Sequence, residues 1–277
     1  MTDVKSFRIY ESNTKVSEQY KKMRQNQTLE YAQRMKYDNQ NRMATNGMKM
    51  NVMEAINRLN EFVDNSDPDI NLSNIHHLYQ TAEAIRKDNH PDWLQLVGLI
   101  HDLGKIMFVW GIDADGTSCS TQWGAVGDTY ILGCALRNNE VYPEFDMLCP
   151  DMTNPIMKTD MGIYSRGCGL DKCVFAWGHD EYLFDVLKYN KELGNVSEEF
   201  PDEAYFIIRF HSLYPWHKHN KYFEFENELD LNNKKFVQMF NKYDLYTKVD
   251  KEVDITNLNN YYQKLINKYF PDGSLIF

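Results

Sequence analysis

The chain has 277 residues, 43% of them hydrophobic and 14% aromatic, enough for a sizeable buried core and too apolar for a disordered chain. Its formal charge of −10 and pI of about 5.3 argue against sequence-independent nucleic-acid binding and against an anionic membrane partner. No apolar run reaches the ~18 residues needed to span a bilayer.

The opening residues, Met1 to Ser6, are not followed by the apolar stretch of a secretory leader, so a cytoplasmic location is expected. The five cysteines, Cys119, Cys134, Cys149, Cys168 and Cys173, are odd in number and irregularly spaced, which fits reduced thiols better than a disulfide framework. Cys168 and Cys173 lack the second cysteine pair of a zinc site. There is no internal repeat and no low-complexity linker, so residues 1–277 are expected to form a single domain.

Ser6 to Tyr10 is a short arm. Residues 14–37 are helix-permissive, with Tyr20, Met23, Gln27 and Tyr31 at helical spacing. Residues 50–63 carry a second amphipathic stripe, and Asp64-Asn65-Ser66-Asp67-Pro68-Asp69 breaks it as a turn. Ser73 is expected to cap a helix to about Lys87, with His77, Leu78, Thr81, Ala82 and Ile85 inside. A central helix is expected from Trp93 through Ile106. Residues 111–122 read as an exposed loop, 128–137 as a helix, and 138–173 as long irregular structure that covers something. Helices are expected over 180–192, from Pro201 at the first helical position until Pro215, over 233–248 and over 256–270. Few segments alternate with period two, so the fold is expected to be all-α.

The central helix is apolar at nearly every position from Leu96 to Ile106, yet carries His101, Asp102 and Lys105. Burying an ionised carboxylate without a partner costs several kcal/mol, so such groups are paired or bind metal. Further polar groups sit on apolar faces: His77, His211 after Ala204, Ile207 and Ile208, and Asp244 after Phe236 and Phe240. His179 stands at a helix mouth. Any one of these could be a hydrogen-bonded core residue, and His76, His90, His217 and His219 are assigned to that class or to the surface. Four histidines and two aspartates together exceed what a core needs. They also exceed one metal's usual protein share, which suggests two metals sharing a carboxylate. Imidazole with carboxylate suits iron, manganese or zinc alike.

His77, His101-Asp102 and a late Asp244 are similar to the HD-domain superfamily pattern. The words around them resemble the myo-inositol oxygenase family: Gln80 to Lys87, Leu96 to Ile106, Val126-Gly127-Asp128-Thr129, Trp177 to Leu183, Arg209 to His217 and Phe240 to Lys248 recur in one order, from about Ser6 to the last residue. The resemblance implies an HD-type helical fold around two irons, mixed-valent Fe(II)/Fe(III) when active. It implies an oxygenase that uses O2 to open the ring of myo-inositol to D-glucuronate in a four-electron oxidation. Carried onto this chain, His77, His101, Asp102 and Asp244 would hold one iron, and Asp102, His179 and His211 the other, with Asp102 bridging. Substrate contacts would come from Arg8, Asp64, Asn65, Ser66, Lys105, Gly127, Asp128, His211 and Ser212. Lys105 would act in catalysis beside Asp102.

The arm of about residues 1–13 would help to cover the substrate, because a reactive iron–oxygen site must be kept from water. The chain departs from the family pattern by an insertion at 112–121, which removes no matched ligand. The alternative is an HD-type metal-dependent phosphohydrolase. It would need several Arg or Lys near the metals, and only Lys105 and Arg8 qualify.

Overall fold

In the computed structural model, residues 10–12, 14–69, 72–137, 141–247 and 251–277 are described. Thr14 starts α1 (Lys15–Asn26) with a capping box: its hydroxyl accepts from the Ser17 amide while Ser17 Oγ accepts from the Thr14 amide. The expected 14–37 helix is broken at Thr28, which caps α2 (Leu29–Asn46) by accepting from the Tyr31 amide. Buried Gln27 at the break donates to the carbonyls of Trp123 and Trp177 and accepts from the Trp177 amide, tying both segments to this corner.

β1 (Lys49–Asn51) leads into α3 (Val52–Arg58) and a 3-10 turn over Leu59–Glu61. α4 (Asn74–Lys87) and α5 (Asp92–Ile100) then form the centre. Gly98 allows their close approach, since a Cβ there would stand 3.0 Å from Ala82 Cα. Leu94, Leu96, Val97, Leu99 and Ile100 are wholly buried, and α5 packs on α7 (Asp202–Phe210), α9 (Glu228–Tyr246) and α10 (Ile255–Tyr269) as well as α4. α6 (His179–Glu192) packs against α7, and α8 (Tyr214–His217) is a single turn. The short strands form two antiparallel pairs. β4 (Ser274–Ile276) lies on β1 with Met50 opposite Leu275, and β2 (Ile131–Leu132) lies on β3 (Val174–Phe175). The all-α expectation therefore holds. Among the described residues no helix is long and apolar enough to cross a membrane.

Several expected boundaries move. The central helix ends at Ile100 instead of Ile106, and a 3-10 segment, Leu103–Val109, follows. The cause is local: His101 Nδ1 donates to the carbonyl of Gly98 at 2.9 Å, the group that the Asp102 amide would use in a continuing helix. Residues 128–137 are not helical. Their amides bond to distant segments, Thr129 to the Ser212 carbonyl and Ala135 to that of Thr159, and Ile131 and Leu132 pair with β3. Pro201 precedes its helix as the cap, and Pro215 lies in the first turn of α8 instead of ending α7. Ser73 stands at the cap position, but its hydroxyl donates to Asn60 Oδ1 instead. α9 begins earlier than expected, where Asn227 and Asp230 form a capping box.

Gly104 sets the distance between the 3-10 segment and the start of α6. A Cβ there would lie 2.0 Å from the His179 carbonyl oxygen, which is backbone and cannot swing aside. Gly104→Ala is therefore expected to destabilise the fold by about 1–3 kcal/mol through overpacking, measurable by urea denaturation. An unchanged midpoint would show that α6 can retreat without cost.

Candidate metal centre

α5 and α7 end in the same way. Each stops one residue before a histidine, His101 or His211, whose amide makes the last i→i−4 bond and whose Nδ1 donates to the carbonyl three residues back. His179 opens α6 and its Nδ1 donates to the Ala125 carbonyl at 3.0 Å. A carbonyl can only accept, so Nδ1 carries a proton in all three rings and Nε2 is the nitrogen turned inward. The Nε2 atoms converge. His179 Nε2 is 3.3 Å from His211 Nε2, and His101 Nε2 is 3.2 Å from His77 Nε2. His77, on the inner face of α4, also approaches Asp244 Oδ1 of α9 at 2.9 Å, and Tyr214 donates to Asp244 Oδ2.

Asp102 lies between the two histidine pairs. Its Oδ1 is 3.1 Å from His179 Nε2 and 3.7 Å from His211 Nε2, while Oδ2 is 3.7 Å from His101 Nε2 and 3.9 Å from His77 Nε2. Oδ2 also accepts from Lys105 Nζ at 2.8 Å. Burial works against the charge on Asp102, but Lys105 together with His101, His179 and His211 outweighs it and holds the carboxyl well below its usual range. Lys105 is likewise buried, which favours loss of its proton, yet Asp102 and Asp64 hold it as an ammonium. Asp64 accepts from Lys105 at 2.7 Å and from Ser66 Oγ at 2.6 Å, and is held below its ordinary value despite burial.

Imidazole nitrogens about 3 Å apart repel unless a proton or a metal ion lies between them. A spacing near 3 Å is also what two nitrogens ~2.1 Å from one ion and at right angles would have. Two such pairs sharing a carboxylate fit two metal ions. Asp180 adds to this. It is buried, its Oδ1 lies 3.2 Å from His179 Nε2, and with His179 and His211 it forms a third group of metal-ligating type beside His77–His101–Asp244 and His101–Asp102–His211.

The sequence model of the family described as myo-inositol oxygenase matches residues 13–277. The chain belongs to the myo-inositol oxygenase family. It is 42% identical over 274 residues to the inositol oxygenase of Dictyostelium discoideum, covering 98% of this chain and 89% of that protein. The inositol oxygenase of Danio rerio is 42% identical over 275 residues, 97% of this chain and 92% of its own. A probable inositol oxygenase of Oryza sativa subsp. japonica is 42% identical over 271 residues, 96% and 83% respectively.

In this member of the myo-inositol oxygenase family, His77, His101, Asp102, His179, His211 and Asp244 come to one buried point, as described. A cleft opens beside them, lined in part by Asp64, Ser66, Lys105, Gly127, Asp128 and Ser212. Asn65 does not face it: the residue is exposed, and its amide donates to Gln122 Oε1. Arg8 and most of the arm lie outside the described residues. Tyr10 and Tyr20, read from sequence as part of the arm and of a helical stripe, line the cleft, and Tyr20 donates to Asp128 Oδ1 at 3.1 Å. Among the described residues lining the cleft, Lys105 is the one Lys or Arg, which does not favour a phosphoester substrate. His217, assigned to the plain class, donates from Nε2 to the His211 carbonyl and so supports that residue from behind. The insertion at 112–121 begins with a 3-10 turn, Asp113–Asp115, and is held to α2 by the Arg34–Asp115 ion pair. Sequence reading missed Asp180, which looked like an ordinary acid in a first helical turn. The repeat of the His-Asp pair found at 101–102 was the available signal.

Outside the histidines, a charged strut fixes α6 to α7. Arg209, two residues before His211, donates twice to Glu181, two residues after His179, at 2.7 and 3.0 Å. Lys36 of α2 pairs with Glu181 and, at 3.2 Å, with Asp185. Burial, aided by neighbouring Glu181, pushes Asp185 up to about 6 despite Lys36. Its folded value lies above the unfolded one, so its stabilising share is full below pH ~4 and is lost as pH rises through 6. Asp185→Asn is therefore expected to match wild type near pH 4 and to exceed it by on the order of 2 kcal/mol at pH 7.5. Urea denaturation at the two pH values tests this. An equal gap at both, or a less stable variant at pH 7.5, would contradict it.

Proposed function

We propose that the chain is an inositol oxygenase that opens the ring of myo-inositol with O2 to give D-glucuronate, a four-electron oxidation at two iron ions. The observation that carries this is the convergence of two histidine pairs on one shared carboxylate in a chain of this family. On this reading His77, His101, Asp102 and Asp244 hold one iron and Asp102, His179 and His211 the other. The bound irons would supply the redox chemistry with dioxygen and the Lewis acidity that chelates a diol.

The remaining work falls to the chain's own residues. A neutral polyol offers no charge to steer, so it is gripped by dense hydrogen bonding in a closed pocket. Asp64, Ser66, Asp128 and Ser212 at the cleft supply acceptors and hydroxyls, and Lys105 supplies the cation. Lys105 Nζ keeps its proton because two carboxylates surround it. Donating to a substrate hydroxyl, it would favour alkoxide character on that oxygen and fix one ring orientation. All three of its N–H bonds are engaged here, with Asp64, Asn74 and Asp102. The substrate would displace Asp64, since Asp102, which also lines the cleft, would be held by iron on this reading.

Residues 1–277 are proposed to act as one catalytic domain, with the arm of about 1–13 as part of the substrate cover and Arg8 as a substrate contact. Tyr10, which packs edge-on against Tyr20 and Tyr142 beside the cleft, supports that path for the arm. A cytoplasmic setting suits the five free cysteines.

The purified protein is expected to carry about two irons per chain. Lys105→Ala is expected to keep both irons and its helical circular-dichroism spectrum, yet to lose ~100-fold or more in glucuronate formation, the usual cost of removing one preorganised donor. Near-normal turnover would make Lys105 a bystander, and loss of iron would make its role structural. Asp102→Ala is expected to lose at least one iron per chain by metal analysis. Full retention of two would remove it from the shared position.

A further inference from the structure

We infer that Asn74 is a positioning residue of this site, acting through Lys105 and Asp102 on the reading proposed above. Asn74 is the first residue of α4, is buried, and does not line the cleft. Its backbone is fixed from outside the site, because its amide donates to the Phe62 carbonyl at 2.8 Å. Its side chain joins the two charged groups at the heart of the centre. Oδ1 accepts from Lys105 Nζ at 3.0 Å, and Nδ2 donates to Asp102 Oδ2 at 3.3 Å.

A primary amide can meet a cation with its oxygen and a carboxylate with its nitrogen. The two bonds have separate consequences. An ammonium has three protons, and those of Lys105 go to Asp64, Asp102 and Asn74. Asp64 and Asp102 both line the cleft, and on the reading above Asp102 is held by iron, so a polyol entering there competes with Asp64. Asn74 and Asp102 are then the two anchors that keep the ammonium aimed at the substrate. The second bond acts on Asp102. With Lys105 it draws Oδ2 to one side, leaving Oδ1 3.1 Å from His179 Nε2. The rotation of the carboxylate, and so which oxygen meets which histidine pair, is set by this amide and by Lys105 together.

A simple role as a helix-start residue makes the opposite forecast for one substitution. Asp is nearly the same shape as Asn and is favoured in a first helical turn. If Asn74 only starts α4, Asn74→Asp should be neutral or stabilising with unchanged turnover. If it positions the site, Asn74→Asp keeps an acceptor for Lys105 but turns a second carboxylate oxygen towards Asp102.

The experiment compares wild type, Asn74→Asp and Asn74→Ala by thermal melting, by iron retained after dialysis, and by kcat and KM for myo-inositol. Wild type forming glucuronate establishes the reading on which the comparison rests; wild type without that activity would refute the function and not merely this residue's part in it. Given an active wild type, Asn74→Asp is expected to melt within a few degrees of it, to retain less iron, and to lose about ten- to a hundredfold in kcat, the scale of a misplaced group near the chemistry. Asn74→Ala is expected to keep its iron and to lose about tenfold in kcat with a raised KM, because Lys105 loses an anchor. Asn74→Asp with wild-type iron and kcat overturns the inference. Should that variant fail to fold, Asn74→Ala decides: wild-type kcat and KM in a folded, iron-loaded protein overturns it equally.

Discussion

A single carboxylate, Asp102, is the constraint around which the rest of the molecule is arranged. One of its oxygens faces His179 and His211, the other faces His101 and His77, and Lys105 pairs with it at 2.8 Å. The four histidines and Asp244 each come from a different part of the chain. α4 brings His77, the end of α5 brings His101, the start of α6 brings His179, the end of α7 brings His211, and α9 brings Asp244. Such an arrangement cannot be assembled piecemeal, since any one buried charge without the others would cost several kcal/mol. The helical fold is therefore a means of delivering five segments to one point.

The delivery depends on a few local devices. Two helices end on a histidine because its Nδ1 bonds the carbonyl three residues back, which both stops the helix and fixes the tautomer that leaves Nε2 open inward. Gly98 and Gly104 let α5 and the following segment touch α4 and α6 at backbone distance. The Glu181–Arg209 pair, placed two residues from His179 and His211, clamps α6 to α7 just beyond the centre. It is a buried, bidentate pair within a network, the circumstance in which removing one partner is strongly destabilising.

Five of the six converging side chains were legible in the sequence because polar residues on apolar helical faces are costly and therefore conspicuous, and His179 through its place at a helix mouth. His77, His211 and Asp244 stand out by spacing alone, and His101-Asp102 by its apolar surroundings. Helix positions were legible for the same reason, through the periodicity of their buried faces. Features that depend on distant partners were not. The 128–137 segment looks helix-permissive, yet its amides are claimed by Ser212 and Thr159 and by strand pairing with β3. The break after Ile100 depends on one side-chain hydrogen bond within an otherwise ideal helical pattern. Asn74 and Asp180 sit in first helical turns, where Asn and Asp are ordinary, so only their partners in space distinguish them. Asn65 shares the 64–66 turn with two cleft residues but is exposed and does not line the cleft, a distinction of one residue that sequence spacing in a turn does not encode.

The central proposal, two irons bridged by Asp102 and engaged by myo-inositol, is tested most directly by electron paramagnetic resonance of the partly reduced protein with and without myo-inositol. A spin-coupled mixed-valent signal that changes when the polyol is added is the expected result. Isolated mononuclear iron, or a coupled signal indifferent to myo-inositol, would contradict it.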